Sequence, residues 1–208
     1  MRDIPLQAQT SKWRIFAARK VNKSFIAVSK KVFARDNYTC RFCGFQAQEY
    51  QDVVNLDHNY SNNKGSNLVT ACCFCSQCLF VESVGLDGMS GGQIIYLPEI
   101  NQAELNSLCH VLFCAMGSGD TYQDSAQSIY RSLRLRSQVV EKEIGAGLSN
   151  PATFGRILIE ARGKFPDASY DFMKKLRLLP AFSKFKTQLN AWTNAALAEL
   201  AQEDEKDE

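Results

Sequence analysis

Four cysteines set the strongest constraint on what this chain can fold into. They form two pairs, Cys40-x2-Cys43 and Cys72-x2-Cys75, separated by 28 residues. A turn of this width brings two thiolates to within about 2.3 Å of one metal ion, and two such knuckles complete a tetrahedral site. The chain must therefore return to its first knuckle after the intervening excursion, which a strand and a loop can span. The ion expected is a single structural zinc held by Cys40, Cys43, Cys72 and Cys75. With sulfur in every coordination position, such an ion holds a fold and performs no chemistry. The second cluster also contains Cys73 and Cys78, so Cys75-x2-Cys78 is an alternative pair. The earlier pair is favoured because it falls where a helix begins, with Cys78 about one turn further along. Cys109 and Cys114, in an apolar helical stretch, read as small buried hydrophobes.

The cysteines prefer metal to disulfides on compartment grounds as well. Neither a signal-peptide core nor a membrane span is visible, which predicts a cytoplasmic protein in a reducing environment. At 208 residues, 45% hydrophobic and 22% charged, the chain has the composition of a globular protein with a core of its own. A net charge of +2 excludes a general polycation. The charge is uneven, however. Residues 1–36 hold nine Lys/Arg against two acids, and Glu203–Glu208 hold five acids and one lysine. The first is a basic arm with the look of a solvated face, and the second reads as an unstructured tail.

The pattern along the chain is α+β. A helix is expected over Ser24–Arg35 with Ser24 as its cap, and a strand over Val53–Asp57. The turn-rich "NYSNNKGSN" is a loop, and Asn67 is placed to cap a helix carrying the second cysteine cluster. Ile94–Leu97 reads as a further strand before Pro98. Beyond it lie helical stripes: Leu105, Leu108, Cys109 and Leu112, ending near Gly117; then Ala126, Ile129, Tyr130, Leu133 and Val140. A third helix starts at Asn150–Pro151, carries Phe154, Ile157, Leu158 and Ala161, and closes before Gly163. A short helix holds Tyr170, Met173 and Leu176, and a long one holds Phe185, Leu189, Trp192, Ala196 and Leu200. The domain reading is a basic arm and zinc module over 1–98, a helical region packed on it over 99–202, and an acidic tail over 203–208.

"RDNYTCRFCG", "LDHN" and "NLVTACCFCS", in this order, resemble the zinc-knuckle branch of the HNH endonucleases. The resemblance covers about residues 25–80 and implies a ββα core with a structural zinc on two knuckles and a separate catalytic metal. It places His58 at the family's general base, Asp57 at its acidic neighbour and Asn67 at the asparagine that fixes the loop. It also exposes a departure. The family follows its second knuckle with a histidine that binds the catalytic metal, and here Ser76 stands in that position. A serine hydroxyl is a poor ligand for a divalent ion, and without the metal the charge on a reacting phosphate loses its main stabiliser. Asp57, His58 and Asn67 are therefore expected to be relics and the chain not to be an enzyme.

Over nearly its full length the chain is similar to the degenerate HNH-fold subunits of the coupling complex in Dot/Icm type IVB secretion systems. That resemblance implies a cytoplasmic scaffold at the inner-membrane face. It implies binding to the extended C-terminal segment of the coupling ATPase DotL, contact with other coupling-complex subunits, and support of effector export. Two other readings stand beside it. One is an active metal-dependent nuclease using Asp57 and His58. The other is a zinc nucleic-acid binder using the basic arm around Lys12, Arg14, Arg19, Lys20 and Lys23.

Overall fold

The computed structural model describes residues 3–86, 91–119, 121–161 and 167–207. After an extended N-terminal segment come α1 (Lys12–Lys20) and α2 (Lys23–Arg35). Asn22, not Ser24, caps α2: its extended backbone lets its side chain accept the Phe25 N–H at 3.1 Å. The apolar face of α2 lays Phe25 and Val32 on Val53 and Leu68.

Val53 and Leu68 belong to an antiparallel hairpin, β1 (Gln51–Asn55) and β2 (Leu68–Cys72), which leads directly into α3 (Cys73–Gln77). The expected strand over Val53–Asp57 thus lies two residues earlier. It stops at Asn55 because the Asn55 side chain donates to the carbonyls of Asn59 and Asn62 and turns the chain away. Asn67 does not cap a helix. Leu68–Cys72 is a strand buried at every position, the kind of short apolar run whose period does not separate strand from helix.

The second half begins with β3 (Gly92–Tyr96), α4 (Gln102–Ser118), α5 (Gln123–Leu135), α6 (Ser137–Glu143) and α7 (Pro151–Ala161). It ends with α8 (Asp167–Met173), β4 (Leu176–Pro180) and α9 (Lys186–Asp207). β3 starts earlier than Ile94 because it pairs along its whole length with β4, Ile94 opposite Leu178. The region read as helical therefore also contains a strand, and Leu176 opens it instead of extending α8. Cross-strand pairing overrides the local helical stripe here. The second expected helix divides at Arg136, whose carbonyl accepts the Tyr96 N–H and whose guanidinium is paired with Glu99 at 2.7 Å. Asn101 and Glu104 form a reciprocal capping box on α4, which ends at Gly119 in the left-handed region. Leu108, Cys114, Ile129 and Ala196 are exposed, so the stripes overcount the core at their edges. α9 continues through Asp207, into the acidic stretch read as a tail; Glu and Lys are good helix formers. Gly163 and the Leu200 side chain lie outside the described residues.

One apolar cluster joins Ile4 and Phe16 of the N-terminal region to Phe74, Leu105, Phe113, Leu178 and Phe185. The boundary read at residue 98 therefore runs through a shared core. Among the described residues no helix is long and apolar enough to cross a membrane.

The basic arm is part of this packing. Arg19 is 8% exposed. Its guanidinium donates to Asn55 Oδ1 at 2.5 Å and to the Val53 carbonyl, and it lies over the Phe25 and Tyr60 rings. Burial brings its pKa down to about 10, with Tyr60 and Asp52 opposing the shift. Lys20 is ion-paired with Asp52 at 2.6 Å. Arg19 is thus taken up by the core and Lys20 by an ion pair.

α7 approaches the turn at Val81–Ser83 so closely that a Cβ at Gly155 would collide with the Glu82 backbone and lie 2.8 Å from its Cβ. Gly155→Ala is expected to destabilise the protein by about 1–3 kcal/mol, read as a shift of the denaturant midpoint. Burial pushes the Glu82 carboxyl up to about 7, and the backbone groups of Glu82 and Gln9 offset only part of this. A raised folded-state value means stability that is present below the unfolded value and lost as pH rises through about 7. Glu82 should therefore contribute a loss of stability between about pH 5 and pH 8 that Glu82→Gln lacks, read as a pH-dependent difference between their denaturant midpoints.

Candidate metal centre

Each knuckle is built by a different device. Before the first, Asn37 and Tyr38 take left-handed backbone, both at φ 51°, and turn the chain out of α2. The knuckle closes through Cys40 N–H to the Phe45 carbonyl at 2.8 Å and Gly44 N–H to the Cys40 carbonyl at 3.0 Å. Gly44 sits at φ 80°, a conformation glycine adopts without strain. Arg41 N–H donates to the Thr70 carbonyl at 2.9 Å and ties this knuckle to β2. The second knuckle is the strand-to-helix junction itself. Cys72 ends β2, and Cys75 lies in the first turn of α3.

These devices bring Cys40, Cys43, Cys72 and Cys75 together, with their sulfurs all within 4.8 Å of one another. The Cys43 and Cys72 sulfurs are 3.5 Å apart. A tetrahedron with metal–sulfur bonds of about 2.3 Å has sulfur–sulfur edges of about 3.8 Å, so the quartet fits one ion. All four are buried and none is in a disulfide. Burial drives the Cys72 and Cys75 thiols far up, and hydrogen bonds with Cys40 and Cys43 add to the rise. Cys40 moves down: burial opposes this, but hydrogen bonds from Cys43, Cys72 and Cys75 outweigh it. A divalent cation bound by the quartet would displace the thiol protons. Cys78 lies outside the quartet and donates to the Phe74 carbonyl at 3.2 Å.

Around the sulfurs is a shell that the sequence reading did not identify. His110 Nε2 lies 3.3 Å from Cys72 Sγ, and Asn106 Nδ2 donates to Cys75 Sγ at 3.1 Å. The His110 ring is sandwiched between Phe45 and Phe74, with centroids at 3.6 and 4.2 Å. Trp192 of α9 meets Phe45 and His110 edge-on and donates its indole N–H to the Glu49 carbonyl at 3.1 Å. A visible trace existed in the sequence: Asn106 and His110 are four residues apart, on the helix stripe that also carries Leu105, Cys109 and Leu112.

The three other singled-out residues are placed near the end of β1. Asp57 Oδ1 accepts from the Asn59 N–H at 2.9 Å and from Asn67 Nδ2 at 2.8 Å, while Oδ2 accepts from Asn62 Nδ2 at 2.6 Å. Asn67 Oδ1 accepts the Asp57 N–H at 3.0 Å. Asp57 and Asn67 thereby brace the loop, and the Asn62 bond and its neighbours hold the Asp57 carboxyl below the usual range. The His58 side chain is held differently. Its Nε2 is 3.2 Å from the Gln7 amide nitrogen, in the N-terminal segment, and burial lowers its pKa despite Asp57. His58 has φ 56°, unusual for a residue with a Cβ. Ser76, on α3, donates to Asp52 Oδ2 at 2.5 Å, and Asp52 in turn pairs with Lys20.

These features define a class: a mixed α+β protein with, among the described residues, two small two-stranded antiparallel sheets and a buried four-cysteine cluster that could hold one metal ion. No protein-family model matches the chain. The type 4 apparatus protein DotN of Legionella pneumophila is 53% identical over 199 residues, spanning 96% of this chain and 93% of that protein. The chain belongs to the DotN family of type 4 apparatus proteins.

Metal analysis of freshly purified protein should find one zinc per chain. Cys40→Ser or Cys72→Ser should give insoluble or unfolded protein, because a structural zinc is worth on the order of 10 kcal/mol, comparable to a domain's whole stability. Zinc-free protein that is soluble and folded would contradict this.

Proposed function

We propose that this protein is a non-catalytic, zinc-stabilised scaffold of the coupling complex in a Dot/Icm type IVB secretion system. On this reading it binds the C-terminal segment of the coupling ATPase DotL, joins the other coupling-complex subunits and supports effector export. It works at the cytoplasmic face, reaching the inner membrane through the complex. The observation that carries the proposal is the 53% identity to DotN across nearly both whole chains.

The geometry supports the non-catalytic part. The β1–β2 hairpin followed by α3, with a knuckle at the junction, has the element order of the HNH ββα unit. At the place where that family supplies a metal-binding histidine, Ser76 instead donates to Asp52, which Lys20 pairs from its other oxygen. The Asp57 carboxylate is taken up by loop amides, and the His58 imidazole Nε2 is hydrogen-bonded to Gln7. A nuclease needs these groups free to face water, metal and phosphate. The burial of Arg19 and the pairing of Lys20 weigh against the nucleic-acid reading.

An extended tail must lose its conformational freedom on docking, so the receptor has to offer a preformed surface and a sizeable apolar interface. The shared core and the tetrathiol centre supply that rigidity. Calorimetry with a synthetic peptide of the DotL C-terminal segment should show binding with a negative heat-capacity change. His58→Ala should bind the peptide nearly as the unaltered protein does, and Cys72→Ser should lose binding together with its circular dichroism spectrum. An unaltered protein that binds no such peptide would refute the scaffold assignment. With Mg²⁺, Mn²⁺ or Ni²⁺, plasmid DNA should remain uncut relative to a mock preparation. Cleavage that disappears in His58→Ala would restore the nuclease reading.

A further inference from the structure

Helix α4 carries buried polar side chains one turn apart, Gln102, Asn106 and His110, beside Leu105, Cys109 and Phe113. Polar groups on such a face are costly unless they are bonded. Their partners form one line. Gln102 Oε1 accepts the Leu178 N–H at 2.8 Å, and its Nε2 donates to the Leu178 carbonyl and to Asn106 Oδ1, both at 2.9 Å. Asn106 Nδ2 then donates to Cys75 Sγ at 3.1 Å and reaches Cys78 Sγ at 3.9 Å. One turn further on, His110 Nε2 meets Cys72 Sγ at 3.3 Å.

We infer that α4 is the outer hydrogen-bonding shell of the metal centre, with Asn106 and His110 each donating an N–H to a coordinating thiolate, Cys75 and Cys72. Gln102 positions Asn106 and joins the centre to β4. The inference rests on the tetrathiolate reading of the centre.

The physical need is charge. Four thiolates around a divalent cation leave an excess of negative charge in a site that excludes water, and buried charge requires hydrogen-bond donors. Each donor is oriented by the structure. The Asn106 oxygen is occupied by the Gln102 amide, so its nitrogen must face the sulfurs. Phe45 and Phe74 fix the plane of the imidazole. A coordinating thiolate has no proton to give, so the bond to Cys72 requires the proton on Nε2. This leaves Nδ1, which is buried without a hydrogen-bond partner among the described residues, as a bare lone pair. The opposite tautomer would bury an unpaired N–H, the costlier arrangement.

The zinc-loaded full chain, with ¹⁵N-labelled histidine, should show His110 protonated on Nε2 and bare on Nδ1. The Nδ1–H tautomer in a zinc-loaded protein would overturn the shell alone. A folded protein carrying no metal would overturn the shell together with the tetrathiolate reading. His110→Phe keeps the ring stack, and Asn106→Leu keeps the volume; each should weaken zinc in a chelator competition by about 10–100-fold. His110→Gln, which can return an N–H to Cys72, should recover most of the loss. Unchanged zinc affinity in both the Phe and Leu variants would refute the proposal. The NMR measurement needs no variant and decides the His110 donor even if a variant does not fold.

Discussion

The convergence of four buried cysteine sulfurs is the constraint on which the rest of the structure depends. Each knuckle is short, but they are far apart in the chain, and the hairpin and loop between them must close before the sulfurs meet. Once they meet, the end of α2, the β1–β2 hairpin and the start of α3 have fixed relative positions. A bound divalent ion would contribute free energy comparable to the stability of the whole fold. α4 then packs against this fixed point with polar side chains aimed at the sulfurs, and Trp192 closes it from α9.

The N-terminal segment and α1 turn the face around His58 inward. Gln7 is bonded through its backbone to Cys78 and Val81 as well as through its side chain to His58. Arg19 reaches the carbonyl of Val53 and the side chain of Asn55, and Lys20 completes the Ser76–Asp52 pair. On the proposed reading, the elements that surround a phosphate site in a nuclease are here bound by the chain's own arm. On the same reading, the unit serves as a rigid mount for partner proteins.

Much of the centre could be read in the sequence, because ligand spacing is a local property. Two cysteines with two residues between them can close a turn onto one ion, and Gly44 marks the left-handed position of the first such turn. Long periodic helices such as α4 and α7 were legible for the same reason. Features set by distant partners were not. The Leu68–Cys72 run gives no period, and only pairing with β1 makes it a strand. Leu176 continues a helical stripe until β3 draws it into β4. Arg19 is indistinguishable from its basic neighbours until Asn55 and the aromatic rings enclose it. His110 lies 38 residues from the sulfur it meets, too far for spacing to reveal.

X-ray absorption at the zinc edge of the purified protein tests the central claim most directly. The account predicts a single shell of four sulfur scatterers at about 2.3 Å, with no nitrogen or oxygen ligand. A nitrogen or oxygen scatterer at about 2.0–2.1 Å would contradict a closed tetrathiolate centre.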